Sequence, residues 1–203
     1  PVKLCTFNGA PNPRKVAIYL AEKQLELDTV TVSTPGNRHR ARDVLARHPM
    51  AAVPVLELDD GRTLSEPDAI IEYLEELHPA PPLIGGDAWT RAVTREITSI
   101  AEHGLLDAAL IATEHTSPEF RDHLEQSPAL AAAVRARFTC AARLFDALLE
   151  HHAWLAGTAF TVADITAFVA IEHGEDCGCA LPVDASRMQD WLARVRARPS
   201  VKD

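Results

Sequence analysis

An α/β half followed by an all-helical half is the fold class this sequence predicts, and three stretches predict it. From Ala51 to Leu77 the chain reads strand, tight turn, strand, helix. Pro79-Ala80-Pro81-Pro82-Leu83-Ile84-Gly85-Gly86 follows, a run that cannot form helix. Beyond it, apolar residues recur almost wholly at helical spacing. The expected organisation is an α/β domain over 1–78, a linker over 79–87 and a helical domain over 88–203.

Lys3 to Phe7 predicts a short strand, with Leu4 on one face and Cys5 and Phe7 on the other. Asn8-Gly9-Ala10-Pro11 is a loop, after which Asn12 can cap a helix whose first turn accepts Pro13. Val16, Tyr19 and Leu20 give that helix its apolar stripe, and Thr29 to Val32 alternate as a second strand. Val53 to Leu58 is the third strand, Asp60-Gly61 the turn and Arg62 to Leu64 the returning strand. Ser65, or Glu66 one step later, caps a helix that buries Ile70, Tyr73, Leu74 and Leu77. Pro67 suits either choice because the first turn has no use for its N–H, and Ser65 with Asp68 fits a capping box. Val53-Pro54 has two readings. One is an ordinary trans proline opening an edge strand. The other is a cis bond that turns the Val53 N–H and C=O toward an extended peptide.

In the second half Trp89, Val93, Ile97, Ile100 and Ala101 step at helical spacing, and Leu105, Leu106 and Leu110 continue the stripe past Gly104. Pro118 and Pro128 bracket a loop or short helix. Ala129 to Leu149 is a long helix lined by Leu130, Val134, Phe138, Ala141, Phe145 and Leu148. Thr161 and Asp164 form a capping box, with Phe160 and Ile165 placed as a hydrophobic staple. Trp191, Leu192 and Val195 mark the last amphipathic helix.

Composition narrows the function. A net charge of −9 and the lack of long basic runs exclude a nucleic-acid binder, which needs a cationic surface. No apolar run is long enough to span a membrane, and no secretory leader pattern opens the chain. The four cysteines, irregularly spaced in a chain of this size, point to free thiols in a reducing cytoplasm. Cys177-Gly178-Cys179, near His173, Glu175 and Asp176, could hold a soft metal but lacks the second ligand pair of a zinc site, so no metal is expected.

Two motif groups, in order, resemble the cytosolic glutathione transferases. That family's Asn-Pro-x-Gly-x-Val-Pro-x-Leu, hairpin and Glu-Ser-x-Ala-Ile-x-x-Tyr-Leu are matched by His48-Pro49-Met50-Ala51-Ala52-Val53-Pro54-Val55-Leu56 and by Glu66-Pro67-Asp68-Ala69-Ile70-Ile71-Glu72-Tyr73-Leu74. The later Gly157-Thr158-Ala159-Phe160-Thr161-Val162-Ala163-Asp164 matches the family's Gly-x-x-x-Thr-x-Ala-Asp. The resemblance implies a thioredoxin-like first domain, an all-α second domain and a homodimer. It also implies conjugation of glutathione, as co-substrate, to a hydrophobic electrophile. The alternative is a protein of the same fold that uses another thiol, or that only binds.

Read through that resemblance, Val53 and Pro54 pair with the glutathione backbone, and Glu66 meets its α-amino group. Position 67 receives the γ-glutamyl carboxylate, and His39 and Arg40, in the basic stretch Asn37 to Arg42, meet the glycyl carboxylate. The sequence departs from the family at places that bear on the site. Ala51 replaces a usual Gly, and Pro67 replaces a serine, which removes both a hydroxyl and an N–H. Ala10 stands where a serine would hold the thiolate. Asn12, backbone N–H groups at the first helix start, or His115 acting through a water are the candidate replacements. Helix capping is the competing role for Asn12, and a surface histidine at a helix end the competing role for His115.

Overall fold

The structure is a computed structural model, and it describes residues 2–32, 48 and 52–202. It divides into two compact units, Pro1–Pro82 and Leu83–Asp203. The division falls within the Pro/Gly-rich run.

The first unit is a four-stranded mixed sheet with helices. Strand β1 (Lys3–Thr6) leads through a loop into helix α1 (Pro11–Lys23), and β2 (Asp28–Thr31) returns parallel to β1. Strand β3 (Val55–Glu57) lies antiparallel on the other side of β1, β4 (Thr63–Ser65) pairs antiparallel with β3, and α2 (Pro67–Leu77) follows at once. The spatial order is β2-β1-β3-β4. The β3–β4 turn closes through Leu58 N–H to Arg62 O at 2.8 Å and Gly61 N–H to Leu58 O at 3.0 Å, with Gly61 at φ 83°. Cys5 is buried against Val32, Val53 and Val55 and is a core residue.

The first helix start corrects the sequence reading, and the second decides between its two alternatives. Helix α1 begins at Pro11 with Ala10 at the cap position, so Asn12 sits inside the first turn and caps nothing. Two prolines, Pro11 and Pro13, open that helix, leaving Asn12 as its one early N–H donor. Ser65 belongs to β4, so the cap position of α2 falls to Glu66, whose side chain makes no capping bond. The Ser65–Asp68 box therefore does not form. The inner face of α2 is Pro67, Ile70, Ile71, Leu74 and Glu75, while Leu77 is exposed.

Ion pairs fix α1 against α2. Lys15, fully buried, reaches the half-exposed Asp68 carboxylate at 2.5 Å. One turn or two further on, the Glu75 carboxylate accepts from the Tyr19 hydroxyl and the Lys23 ammonium, both at 2.7 Å. Lys23 also donates to the carbonyls of His78 at 2.6 Å and Pro81 at 2.5 Å. A buried ammonium is tolerated because carboxylate and carbonyl oxygens surround it.

The second unit packs α3 (Ala88–Ala101), α4 (Asp107–Thr116), α5 (Pro128–Leu148), α6 (Val162–Gly174) and α7 (Ser186–Arg196). A π-helical turn, Glu102–Leu106, joins α3 to α4 without a break. The buried seam of α3 is Thr94, Ile97, Thr98 and Ala101; Trp89 is 77% exposed and does not belong to it. Helix α6 is buried on all sides, which is why its sequence shows no polar face. Its Thr161–Asp164 box does form, and Asp164 does more than cap. Its carboxylate accepts from Thr161 N–H at 2.9 Å, Leu155 N–H at 3.0 Å and Trp191 Nε1–H at 2.8 Å. No helix among the described residues is long and apolar enough to cross a membrane.

Candidate functional site

Strand register gathers the candidate residues of the first unit. Cys5 pairs with Val55, and Val55 with Ser65. Continuing one residue toward the same end of the sheet reaches Thr6, Pro54 and Glu66. The loop that leads to Ala10 and Asn12, the start of β3 and the start of α2 therefore share one end of the sheet. The Lys15–Asp68 pair ties the first turns of the two helices together at that end.

Each element places its residue for a local reason. Val53-Pro54 is cis, and Val53 is buried, with no backbone hydrogen bond to another backbone group among the described residues. Glu66 takes φ 69° and ψ 122°, a left-handed backbone in a non-glycine residue, which turns the chain from β4 into α2 within one position. Its carboxylate end is exposed and its carbonyl accepts from Ile70 N–H at 3.0 Å. Pro67 is buried and contributes no donor, so Asp68 and Ala69 carry the first N–H groups of α2. The Asp68 charge, which by itself would repel an incoming carboxylate, is balanced by Lys15.

Ala10 is buried and offers a sulfur atom nothing from its side chain. Asn12 is different. Its Oδ1 is buried and has no hydrogen-bond partner among the described residues. A buried amide without a partner costs free energy unless something supplies one. Half a turn of the amide presents NH₂ in place of the carbonyl, a donor suited to a thiolate.

His115 ends α4 in the second unit. Its Nδ1 accepts from Ser127 N–H at 2.9 Å, at the start of α5, which leaves Nε2 as the N–H of the neutral ring. The ring therefore holds two helices in register and keeps one donor for other work. His39 and Arg40 lie outside the described residues. The sequence reading missed Lys15, because a lysine on an otherwise apolar helix face gives no sign of a partner 53 positions away.

Comparison with known proteins adds the family. The glutathione S-transferase N-terminal domain model matches residues 4–82, and the glutathione S-transferase C-terminal domain model matches residues 99–199. Glutathione S-transferase 2 of Saccharomyces cerevisiae is 30% identical over 198 residues, covering 96% of this chain and 85% of that protein. The maleylacetoacetate isomerase of Pseudomonas aeruginosa is 37% identical over 101 residues, about half of either chain at 49% and 48%. The crystal structure of a glutathione S-transferase domain-containing protein from Marinobacter aquaeolei VT8 superposes with a TM-score of 0.90 at 34% identity, covering 98% of this chain and 100% of that one.

Proposed function

The chain belongs to the glutathione S-transferase family, and from that premise we propose a glutathione-dependent enzyme that joins the thiol sulfur to a hydrophobic electrophile. The observation that carries this reading is the shared end of the sheet, where β3 begins at a cis proline and two helices start side by side. An extended thiol peptide fits such a place. Val53 offers its backbone N–H and C=O, and Glu66 offers a carboxylate to the α-amino group. The N–H groups of Asp68 and Ala69 face the γ-glutamyl carboxylate, with Lys15 cancelling the Asp68 charge. His39 and Arg40 are assigned the glycyl carboxylate by their place in the sequence.

The chemistry needs the thiol ionised. A free thiol has a pKa of about 8.5, and a donor aimed at the sulfur lowers it. We assign that donor to the Asn12 amide, whose buried end lacks a partner. The thiolate then forms a bond to the electrophilic carbon, and the leaving group departs with the bonding pair. His115, in the second unit, is the other candidate, holding a water through its Nε2–H. The Pseudomonas relative is named a maleylacetoacetate isomerase, so maleylacetoacetate belongs in the test beside conjugation substrates.

Pro67→Ser is the deciding variant. It restores a hydroxyl and an N–H at the carboxylate subsite, and calorimetry should show glutathione binding tightened roughly tenfold or more. Conjugation of chlorodinitrobenzene at saturating thiol should change little, because Ala10 still supplies no donor; adding Ala10→Ser should raise it. Tight glutathione binding by the unmodified protein, or no gain from Pro67→Ser, would mean that another group holds the γ-glutamyl end. Absence of conjugation and isomerisation alike, with binding intact, would favour the binding-only alternative.

A further inference from the structure

Cys177 and Cys179 lie in the second unit, where the end of α6 folds both residues around Gly174. Helix α6 ends at Gly174, a short 3₁₀ turn covers Glu175–Cys177, and Gly178 reverses the chain at φ 80°. Cys179 N–H then donates back to Gly174 O at 3.0 Å. A Cβ at position 174 would lie 2.8 Å from the Cys179 Cβ, so glycine there is what lets Cys179 fold against the helix. Cys177 Sγ lies 3.3 Å from the same Gly174 carbonyl, so one carbonyl gathers both cysteines.

Their surroundings are polar and, on one side, cationic. The Arg135 Nε–H from α5 donates to Cys177 O at 2.7 Å, and the guanidinium lies over Gly178. Thr113 Oγ1 of α4 donates to Ala109 O at 2.9 Å and lies 3.2 Å from His173 Nε2. As a neutral thiol, Cys177 is within reach of the carbonyls of Gly174 at 3.3 Å and Ala109 at 3.5 Å. As a thiolate it is favoured most by the hydrogen bond from Cys179, opposed by burial, then favoured again by Thr113, Cys179 N–H and Arg135. The balance lowers its pKa to about 6, while the Cys179 thiol is pushed up by its bond to Cys177 and by burial. One thiol is set as nucleophile and its neighbour keeps its proton. That division of labour is what a dithiol redox pair needs, and core cysteines that merely fill space do not need it.

We propose that Cys177 and Cys179 are a hydroperoxide-sensitive dithiol that closes to an intramolecular disulfide. Cys177 and Cys179 are 6% and 1% exposed, but Asp176, Gly178 and Ala180 between and beside them are all exposed, so the thiols lie one residue beneath the surface. Hydrogen peroxide is close to water in size and can reach sulfur through a short opening of this terminal turn. The Cys177 thiolate attacks one peroxide oxygen, the O–O bond breaks, and Cys177 sulfenic acid and hydroxide form. The Cys179 sulfur then attacks the Cys177 sulfur, the S–O bond breaks, and the Cys179 proton leaves with the departing hydroxide as water. The sum is two thiols and one hydrogen peroxide to one disulfide and two waters.

The test uses the full chain, reduced and then exposed to hydrogen peroxide. Intact mass should fall by that of two hydrogen atoms, and two of the four thiols should be lost to alkylation. Peptide mapping should place the disulfide between Cys177 and Cys179, and dithiothreitol should reverse it. Cys140, exposed on α5, is the internal control, and Cys140→Ser should leave the yield unchanged. Cys179→Ala should accumulate a dimedone-reactive sulfenic acid at Cys177, and Cys177→Ala should leave Cys179 unoxidised. Two outcomes on the unmodified protein overturn the proposal without reliance on any variant. One is Cys140 oxidised while Cys177 and Cys179 stay reduced in the folded chain. The other is Cys177 carried to sulfinic acid while Cys179 remains a free thiol.

Discussion

Glu66 holds a backbone conformation that side chains with a Cβ avoid, at a cost of about 1–3 kcal/mol. The residue that turns β4 into α2 is also the one assigned to a ligand amine. Glu66→Gly should therefore raise the urea midpoint, by about 1 kcal/mol in stability, and weaken glutathione in calorimetry. A variant that gained stability with unchanged affinity would separate the backbone role from the carboxylate. His173 gives a second residue-scale expectation. Burial lowers its pKa from the ordinary 6.5, and Asp176 partly opposes this. The folded state thus resists protonation that the unfolded chain accepts. As pH falls through 6.5 toward the lower folded value, the unfolded state takes up the proton first and stability is lost. Urea midpoints should drop between pH 7.5 and about pH 5.5, and His173→Gln should flatten that part of the drop.

At the scale of elements, what the sequence made legible was what is encoded locally. The Asp60-Gly61 turn, the Thr161–Asp164 box and the prolines at helix starts depend on residues within four positions of each other, and their spacing carried them. The cap of α1 falls two positions before Asn12, and the cap of α2 is Glu66, the second of the two positions the sequence offered. Asn12 and Ser65 are good capping types, but prolines had already fixed the helix starts at Pro11 and Pro67. Helical spacing puts Trp89 and Leu77 on the apolar stripes, yet the buried seams run along other faces. The pairs that lock α1 to α2 were invisible, since no spacing rule connects Lys23 with Glu75. That pair gives the element-scale prediction. Lys23→Met removes the cation and leaves Glu75 and the carbonyls of His78 and Pro81 facing apolar atoms. Breaking a buried pair on one side costs about 3–5 kcal/mol. Chemical denaturation should show a loss of that order, and Lys23→Met with Glu75→Gln should recover part of it.

For the molecule as a whole, Asp164 has a consequence in the order of synthesis. A chain made from its N-terminus adds Asp164 27 residues before Trp191 exists, and completes α6 at Gly174, still well ahead of α7. Until then a carboxylate that is fully buried in the finished unit lacks its indole donor, with only Leu155 and Thr161 to hold it. A buried charge short of a donor costs about 1–3 kcal/mol or more, so the second unit has reason to stay open on the ribosome until α7 emerges. A chain ended at Asp184 should mimic that stage, with α6 amides exchanging with solvent far faster than in the full protein. Equal protection in the two would show that the core of this unit closes without its last helix. The arrival of α7, rather than the completion of α6, is the step that gives this half of the protein its shape if the truncated chain exchanges faster.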